Sequence, residues 1–278
     1  MKKSQLCYAV WPWGSVSKEQ TELALTEITE IGYKKFESVK QAGYAYDLDP
    51  VQYTEMLNRF GVSVESFYFH LPSKGEEDGL FATLEKELEF LQKLGITRAT
   101  LQGVYGRPEG DVMTEEARQH NLNLMIKFAT IAKKYGVKTN VHPHVDTYFM
   151  YEDEIDYVME NTDKDLIYFA PDTAHIAAAG ADPVEVVKRY ADRVNFTHLK
   201  DYKVGDEITS QGWVESGVPI MSCFHALGQG TVDFKEIIKV LDEAGYDGPL
   251  CIELDKSPIS HADSAKKSYD YLSQFLED

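Results

Sequence analysis

The chain has 278 residues, 43% hydrophobic and 27% charged, which suits a globular protein with a sizeable core and excludes a low-complexity chain. Its 28 basic residues stand against 46 acidic ones, and a net charge of −18 repels phosphate backbones, so no nucleic-acid partner is expected. The cysteines Cys7, Cys223 and Cys251 lack the spacing of a disulfide framework, no apolar run is long enough to cross a membrane, and the start lacks a secretory leader, so a cytoplasmic protein without a membrane partner is expected.

One pattern repeats along the chain. An amphipathic segment ends in Gly or a polar turn, and a short run of strand-forming residues follows. The first run is Gln5 to Val10. A helix over Glu19 to Glu30 carries Leu23, Leu25, Ile28 and Ile31, stops at Gly32, and leads into Lys34 to Val39. Gly61 then introduces Val62 to Tyr68. The helix Phe81 to Leu94, with a leucine stripe at 84, 88, 91 and 94, leads through Gly95 into Ile96 to Leu101. The longest helix, Glu115 to Tyr135, leads through Gly136 into Val137 to Val141. Two further runs, Leu166 to Ala170 and Val194 to Leu199, follow polar turns. Between them a helix over Pro183 to Tyr190 opens after Asp182, a good cap with Pro at the first helical position. Tyr202 to Leu227 is irregular and glycine-containing, and is expected to be a loop over the substrate. A helix over Phe234 to Glu243 precedes the last strand, Pro249 to Glu253, and His261 to Leu276 closes the chain. Strands alternating with helices mean parallel β/α units. A count of eight predicts α/β architecture closed as a single (β/α)8 barrel over residues 1–278.

In such a barrel the chemistry lies at the C-terminal ends of the strands. His142, Asp172, His198 and Glu253 sit there on strands five to eight, which are neighbours around the rim. Two imidazoles and two carboxylates are suitable ligands for a divalent metal ion such as Mn, Co, Mg or Zn, with positions left open for substrate oxygens. Each residue alone has a plainer role: a strand-end His is commonly structural, Asp172 suits a helix cap, and Glu253 suits an ion pair with a lysine. Their coincidence on four consecutive strands favours the metal. His175 follows Asp172 by three residues, and His144 faces the same way as His142, two residues along an extended segment.

These stretches resemble the xylose isomerase-like barrel superfamily of sugar isomerases, epimerases and polyol dehydratases. The resemblance rests on Asp172-Thr173-Ala174-His175 with Gly180-Ala181-Asp182-Pro183, on Phe196-Thr197-His198-Leu199-Lys200-Asp201, and on Gly228-Gln229-Gly230-Thr231-Val232-Asp233-Phe234 leading to Gly248-Pro249-Leu250-Cys251-Ile252-Glu253. It implies that Asp172, His198 and Glu253 are metal ligands, with His175 a neighbouring polar contact. Strand five departs from the epimerase pattern. The epimerases place a Glu there, whereas this chain has His142-Pro143-His144, similar to inosose (2-keto-myo-inositol) dehydratases.

The expected chemistry is proton transfer next to a carbonyl through a stabilised enediolate, giving a sugar or polyol isomerase or epimerase. The alternative is an inosose-type dehydratase, which the strand-five histidines favour. A non-catalytic sugar-binding module and an abasic-site nuclease are the readings from other classes. Glu253, His175 and His144 are the candidate acid/base groups. Lys200 is a candidate for stabilising enediolate charge, although an exposed loop lysine is the plainer reading. Glu37, His70, Gln102, Arg107 and Trp13 are expected to contact substrate, with packing or loop-fixing roles as the alternative for Trp13 and Arg107. No fingerprint for NAD or ATP is present. The expected partner is a small sugar or polyol, with a homo-oligomer implied by the resemblance.

Overall fold

A computed structural model describes residues 1–73, 75–107, 113–204, 223–257 and 259–278. Eight parallel strands form one curled sheet: β1 (Leu6–Ala9), β2 (Lys35–Val39), β3 (Ser63–His70), β4 (Arg98–Gln102), β5 (Lys138–His142), β6 (Ile167–Phe169), β7 (His198–Leu199) and β10 (Leu250–Ile252). Their order is β6-β5-β4-β3-β2-β1-β10-β7. The seam between β6 and β7 is closed by two isolated parallel bridges, Phe169 to Val194 and Asp172 to His198. The sheet is therefore a barrel, with the fifth to eighth strands of the sequence reading side by side. The seventh predicted strand is shorter than expected, because Val194 forms only a bridge and regular pairing begins at His198.

Ten α-helices surround the barrel among the described residues: α1 (Lys18–Ile31), α2 (Lys40–Ala45), α3 (Pro50–Phe60), α4 (Glu77–Lys93), α5 (Glu115–Lys134), α6 (Glu152–Glu160), α7 (Thr173–Ala178), α8 (Pro183–Arg189), α9 (Phe234–Glu243) and α10 (His261–Leu272). Side-chain caps start many of them. Ser17 accepts from Gln20 N, Asp49 from Val51 N, Thr114 from Ala117 N, and Asp182 from Val184 N. The leucine stripe of α4 is buried at Leu80, Leu84, Leu88 and Leu91, and α5 buries Leu122, Met125, Phe128 and Ala129. These faces cover strand residues such as Phe36, Phe69, Leu101, Val141 and Phe169 in one continuous core. The three cysteines are free and buried. No helix among the described residues is long and apolar enough to cross a membrane.

After β7 the chain does not leave the rim as an unstructured loop. Asp201–Tyr202 (β8) pairs antiparallel with Phe224–His225 (β9), forming a short ribbon over the barrel mouth. The substrate-covering loop expected between them lies, from 205 to 222, outside the described residues. Asp201 anchors the return of the chain. Its Oδ2 accepts from Gly228 N at 2.9 Å and Gly230 N at 2.7 Å, and its Oδ1 accepts from Val232 N at 3.1 Å. Only glycine fits at 230, since an added Cβ would overlap Asp201 Oδ1 and the Tyr202 carbonyl. Gly230→Ala is expected to cost about 1–3 kcal/mol, as forced overpacking does. Urea unfolding of the variant measures this, with a lower midpoint and an unchanged slope.

Candidate active site

The barrel register brings the four strand-end residues to one point. His142 ends β5, Asp172 follows β6, His198 starts β7 and Glu253 follows β10. All four are buried, and each offers one donor atom within 4.8 Å of the other three. His142 Nδ1 is buried without a hydrogen-bond partner, while His198 Nδ1 and Glu253 Oε2 face each other at 3.2 Å and Asp172 Oδ2 has only the Lys200 ammonium, 3.3 Å away. Leaving a buried polar atom without a good hydrogen bond costs about 1–3 kcal/mol, so donor atoms held this loosely at one point suit a cation that takes them up together.

The remaining atoms of Asp172, His198 and Glu253 are held. Asp172 Oδ1 caps α7, accepting from Ala174 N and His175 N at 2.9 Å each. The helix-cap and ligand readings of Asp172 are thus compatible, because they use different oxygens. His198 Nε2 lies 2.5 Å from Glu37 Oε2, and Glu37 Oε1 accepts from Thr100 Oγ1 at 2.5 Å. A carboxylate holding the far nitrogen of an imidazole fixes the ring and raises its basicity, the usual support behind a metal-binding histidine. The residues present therefore fit a divalent ion in donor type, convergence and support.

Lys200 departs from the plainer reading of its sequence context. It is not an exposed loop lysine but fully buried. Its Nζ lies 2.8 Å from Asp255 Oδ2, 3.1 Å from Glu253 Oε1 and 3.3 Å from Asp172 Oδ2, with the Phe224 ring 4.7 Å away. Three carboxylates and one aromatic face replace the water that a lysine ordinarily keeps. Burial opposes its charge, but Asp172, Asp255 and Glu253 outweigh it and raise the ammonium pKa. Burial would raise the Glu253 carboxyl. The charges of Lys200 and His198 win and hold it well below the usual range. Asp172 is raised, chiefly by burial, with Lys200 pulling the other way. For His198, burial is again overcome, by Glu37 and Glu253, and its pKa rises to about 10.

Two more histidines complete the centre. His175 Nδ1 lies 3.1 Å from the Val145 amide nitrogen, and its Nε2 lies 3.1 Å from Lys200 Nζ. Both His175 nitrogens are engaged. His144 Nδ1 lies 2.6 Å from the Val145 carbonyl, which can only accept, so the proton is on Nδ1 and the lone pair is on Nε2. Burial, followed by the charge of Lys200, lowers the His144 pKa to about 3, and burial lowers those of His142 and His175 well below the ordinary imidazole value. The His144 and His175 rings lie 3.9 Å apart.

The other expected substrate contacts divide. Gln102 ends β4, buried, and accepts from Tyr68 OH at 2.8 Å. His70 ends β3, exposed, against the Tyr68 ring. Glu37 lies behind His198 rather than in front of it. Trp13 is packed between Tyr8 and His261 and donates to Glu27 Oε2 at 2.8 Å, whereas Trp11 borders the centre, 5.2 Å from Tyr68 and 5.6 Å from His198 between ring centroids. Arg107 takes the loop-fixing role, with Nη1 2.5 Å from buried Glu154 and the guanidinium 4.8 Å from the Tyr151 ring. Arg107→Met is expected to cost about 3 kcal/mol by stranding the Glu154 charge, with the metal site unaffected. Thermal unfolding and Mn2+ titration of the variant check both halves.

Sequence reasoning missed Tyr68, Phe224 and Asp255. Tyr68 stacks on His198 at 5.9 Å and 12°, and Phe224 packs against His175 at 4.7 Å. Asp255 carried a usable signal, since it lies two residues past Glu253 on an extended segment and so faces the same side.

The family model described as "Xylose isomerase-like TIM barrel" matches residues 25–275. The chain belongs to the xylose isomerase-like TIM barrel family. This family member is similar to an inosose dehydratase of Clostridium botulinum (strain Alaska E43 / Type E3), 31% identical over 265 residues, covering 87% of this chain and 85% of the relative. Among solved structures, an L-ribulose 3-epimerase has a TM-score of 0.77 at 16% identity, covering 99% of this chain and 95% of that one. The structure of "IOLI protein with a binding zinc atom" has a TM-score of 0.75 at 16% identity, covering 99% and 100%. The two structures share the fold with this chain.

Proposed function

We propose that this family member is a divalent-metal-dependent dehydratase acting on a keto-cyclitol of the inosose type. The observation that carries the reading is the histidine pair where the epimerases have a glutamate. Epimerisation by two carboxylates needs one on each side of the reacting carbon. Here β5 ends in His142, His144 follows it, and Glu253 faces them from the end of β10. The relative named inosose dehydratase, aligned over most of both chains, supports the same choice over the isomerase or epimerase reading.

His142, Asp172, His198 and Glu253 are the residues that would hold the ion. A divalent cation there supplies Lewis-acid stabilisation of the negative charge that develops on a substrate oxygen. The zinc atom of the structurally similar IOLI protein supports a divalent ion of this kind. The chain's own groups divide the proton work. His144 Nε2, kept as a lone pair by the bond from Nδ1 to the Val145 carbonyl, accepts the proton from the carbon next to the carbonyl. The electron pair left behind moves to the adjacent carbon–carbon bond, and the hydroxyl on the next carbon departs. Lys200 gives that hydroxyl a proton, so one water leaves and the enol product relaxes to a dione. Exchange with water then removes the proton from His144 and returns one to Lys200, which resets both groups.

Proton NMR of 2-keto-myo-inositol with the Mg2+-loaded protein in D2O tests the reading. The expected result is a dehydrated dione that forms only with metal. Deuterium exchange without water loss would instead establish the isomerase or epimerase chemistry.

A further inference from the structure

A second group of side chains stands beside the four-donor centre. His144, His175 and Asp255 bring one donor atom each to within 4.8 Å of one another. By spacing alone this trio resembles another metal site, but its bonding differs from that of the first centre. There, His142 Nδ1, Asp172 Oδ2, His198 Nδ1 and Glu253 Oε2 all lack a well-formed hydrogen bond. Here, His175 accepts the Val145 amide on Nδ1 and faces Lys200 with Nε2, His144 Nδ1 is bonded to the Val145 carbonyl, and Asp255 Oδ2 accepts from Lys200 at 2.8 Å. A cation seated among them would sit against the Lys200 ammonium, and like charges at that range repel.

What the trio offers a ligand is the anionic acceptor Asp255, at its accessible edge. His175 is buried with both nitrogens engaged, and His144 keeps its Nε2 lone pair for the proton transfer. The Asp255 side chain is 15% exposed, against 4% for Glu253 and 0% for Asp172 and Glu37. Of these carboxylates, Asp255 is the one a ligand reaches without displacing protein. A carboxylate that a ligand can reach suits hydroxyl groups, which donate hydrogen bonds to it. We propose that Asp255, at the edge beside His144 and the metal-binding group, forms a hydroxyl-recognition subsite and sets the specificity for a polyhydroxylated ring by accepting hydrogen bonds from its hydroxyls.

The proposal rests on the keto-cyclitol reading, and its test uses a ligand that cannot react. Myo-inositol binding to the Mg2+-loaded protein is measured by calorimetry for wild type and Asp255→Asn. The expected Kd rises about tenfold or more in the variant, the loss of a hydrogen bond to a charged acceptor. Mn2+ affinity stays within about twofold, which also shows that the variant is folded. A deoxy-inositol lacking the recognised hydroxyl is expected to bind both proteins equally, a result that a merely structural Asp255 would not give. Unchanged inositol affinity in Asp255→Asn would overturn the subsite, as would no inositol binding by wild type. Loss of Mn2+ as severe as in Asp172→Asn would place Asp255 among the metal ligands and overturn it too. Wild-type protein that binds inositol yet removes no water from the keto form would remove the dehydratase reading alone.

Discussion

Asp172→Asn is expected to abolish the protein's response to divalent ions while leaving the fold in place. The two carboxylate oxygens have separate duties. Oδ1 caps α7 through two amides, and Asn is as good a cap as Asp, so the helix keeps its start. Oδ2 is the oxygen aimed at the centre, with Lys200 Nζ 3.3 Å away, and the amide nitrogen that replaces it cannot bind a cation. In wild-type protein, Mn2+ at a hundredfold its Kd should add about 2.7 kcal/mol. For a chain of this size that raises Tm by about 5–10 °C. The variant should show a rise below about 1 °C. Turnover of the keto-cyclitol should fall by about a thousandfold, equivalent to roughly 4 kcal/mol of lost charge stabilisation. Chelation of the wild type should give the same loss, reversed by adding Mn2+ back, whereas the variant should not be rescued.

Lys200→Met should act on stability as strongly as on turnover. The lysine neutralises carboxylates from three positions distant in sequence, Asp172, Glu253 and Asp255, at a point without solvent. Methionine keeps the volume and removes the charge. The metal-free variant should lose about 3–5 kcal/mol, the usual consequence of stranding buried charge. A divalent ion should restore more stability to this variant than to wild type, because it takes over the neutralisation of Asp172 and Glu253. Urea unfolding with EDTA and with Mn2+ measures both quantities. Equal loss under the two conditions would mean that the lysine and the ion do not share those carboxylates. Turnover should remain absent even with the ion bound, since the proton donor is gone.

The barrel was legible because its signals are local and repeated. Gly61, Gly95, Gly136 and Gly245 all take positive φ just past a helix, as their place before each strand-forming run suggested. The positions of His142, Asp172, His198 and Glu253 were legible for a related reason. Each lies in or just after a short strand at the same face, and β5, β6, β7 and β10 are neighbours around the barrel. What the sequence hid depends on contacts between distant segments. Nothing near Lys200 announces burial, because its partners at 172, 253 and 255 and the covering Phe224 meet only in the closed barrel. Glu37 resembled a substrate contact because it sits in β2 near the rim, yet its oxygens are taken by Thr100 and His198 from across the interior. Trp11 and Trp13 could not be told apart by composition. One turn of 3₁₀ helix, Trp11–Trp13, directs the first toward His198 and the second toward Glu27 and His261.

Everything proposed for this protein depends on His142, Asp172, His198 and Glu253 holding one divalent ion. Pulsed electron paramagnetic resonance of the protein titrated with Mn2+ tests this most directly, since imidazole nitrogens bound to manganese modulate the echo. The expected result is one Mn2+ per chain with couplings from two nitrogens, falling to one in His142→Ala. Absence of Mn2+ binding, or a bound ion whose nitrogen couplings survive unchanged in both His142→Ala and His198→Ala, would contradict it.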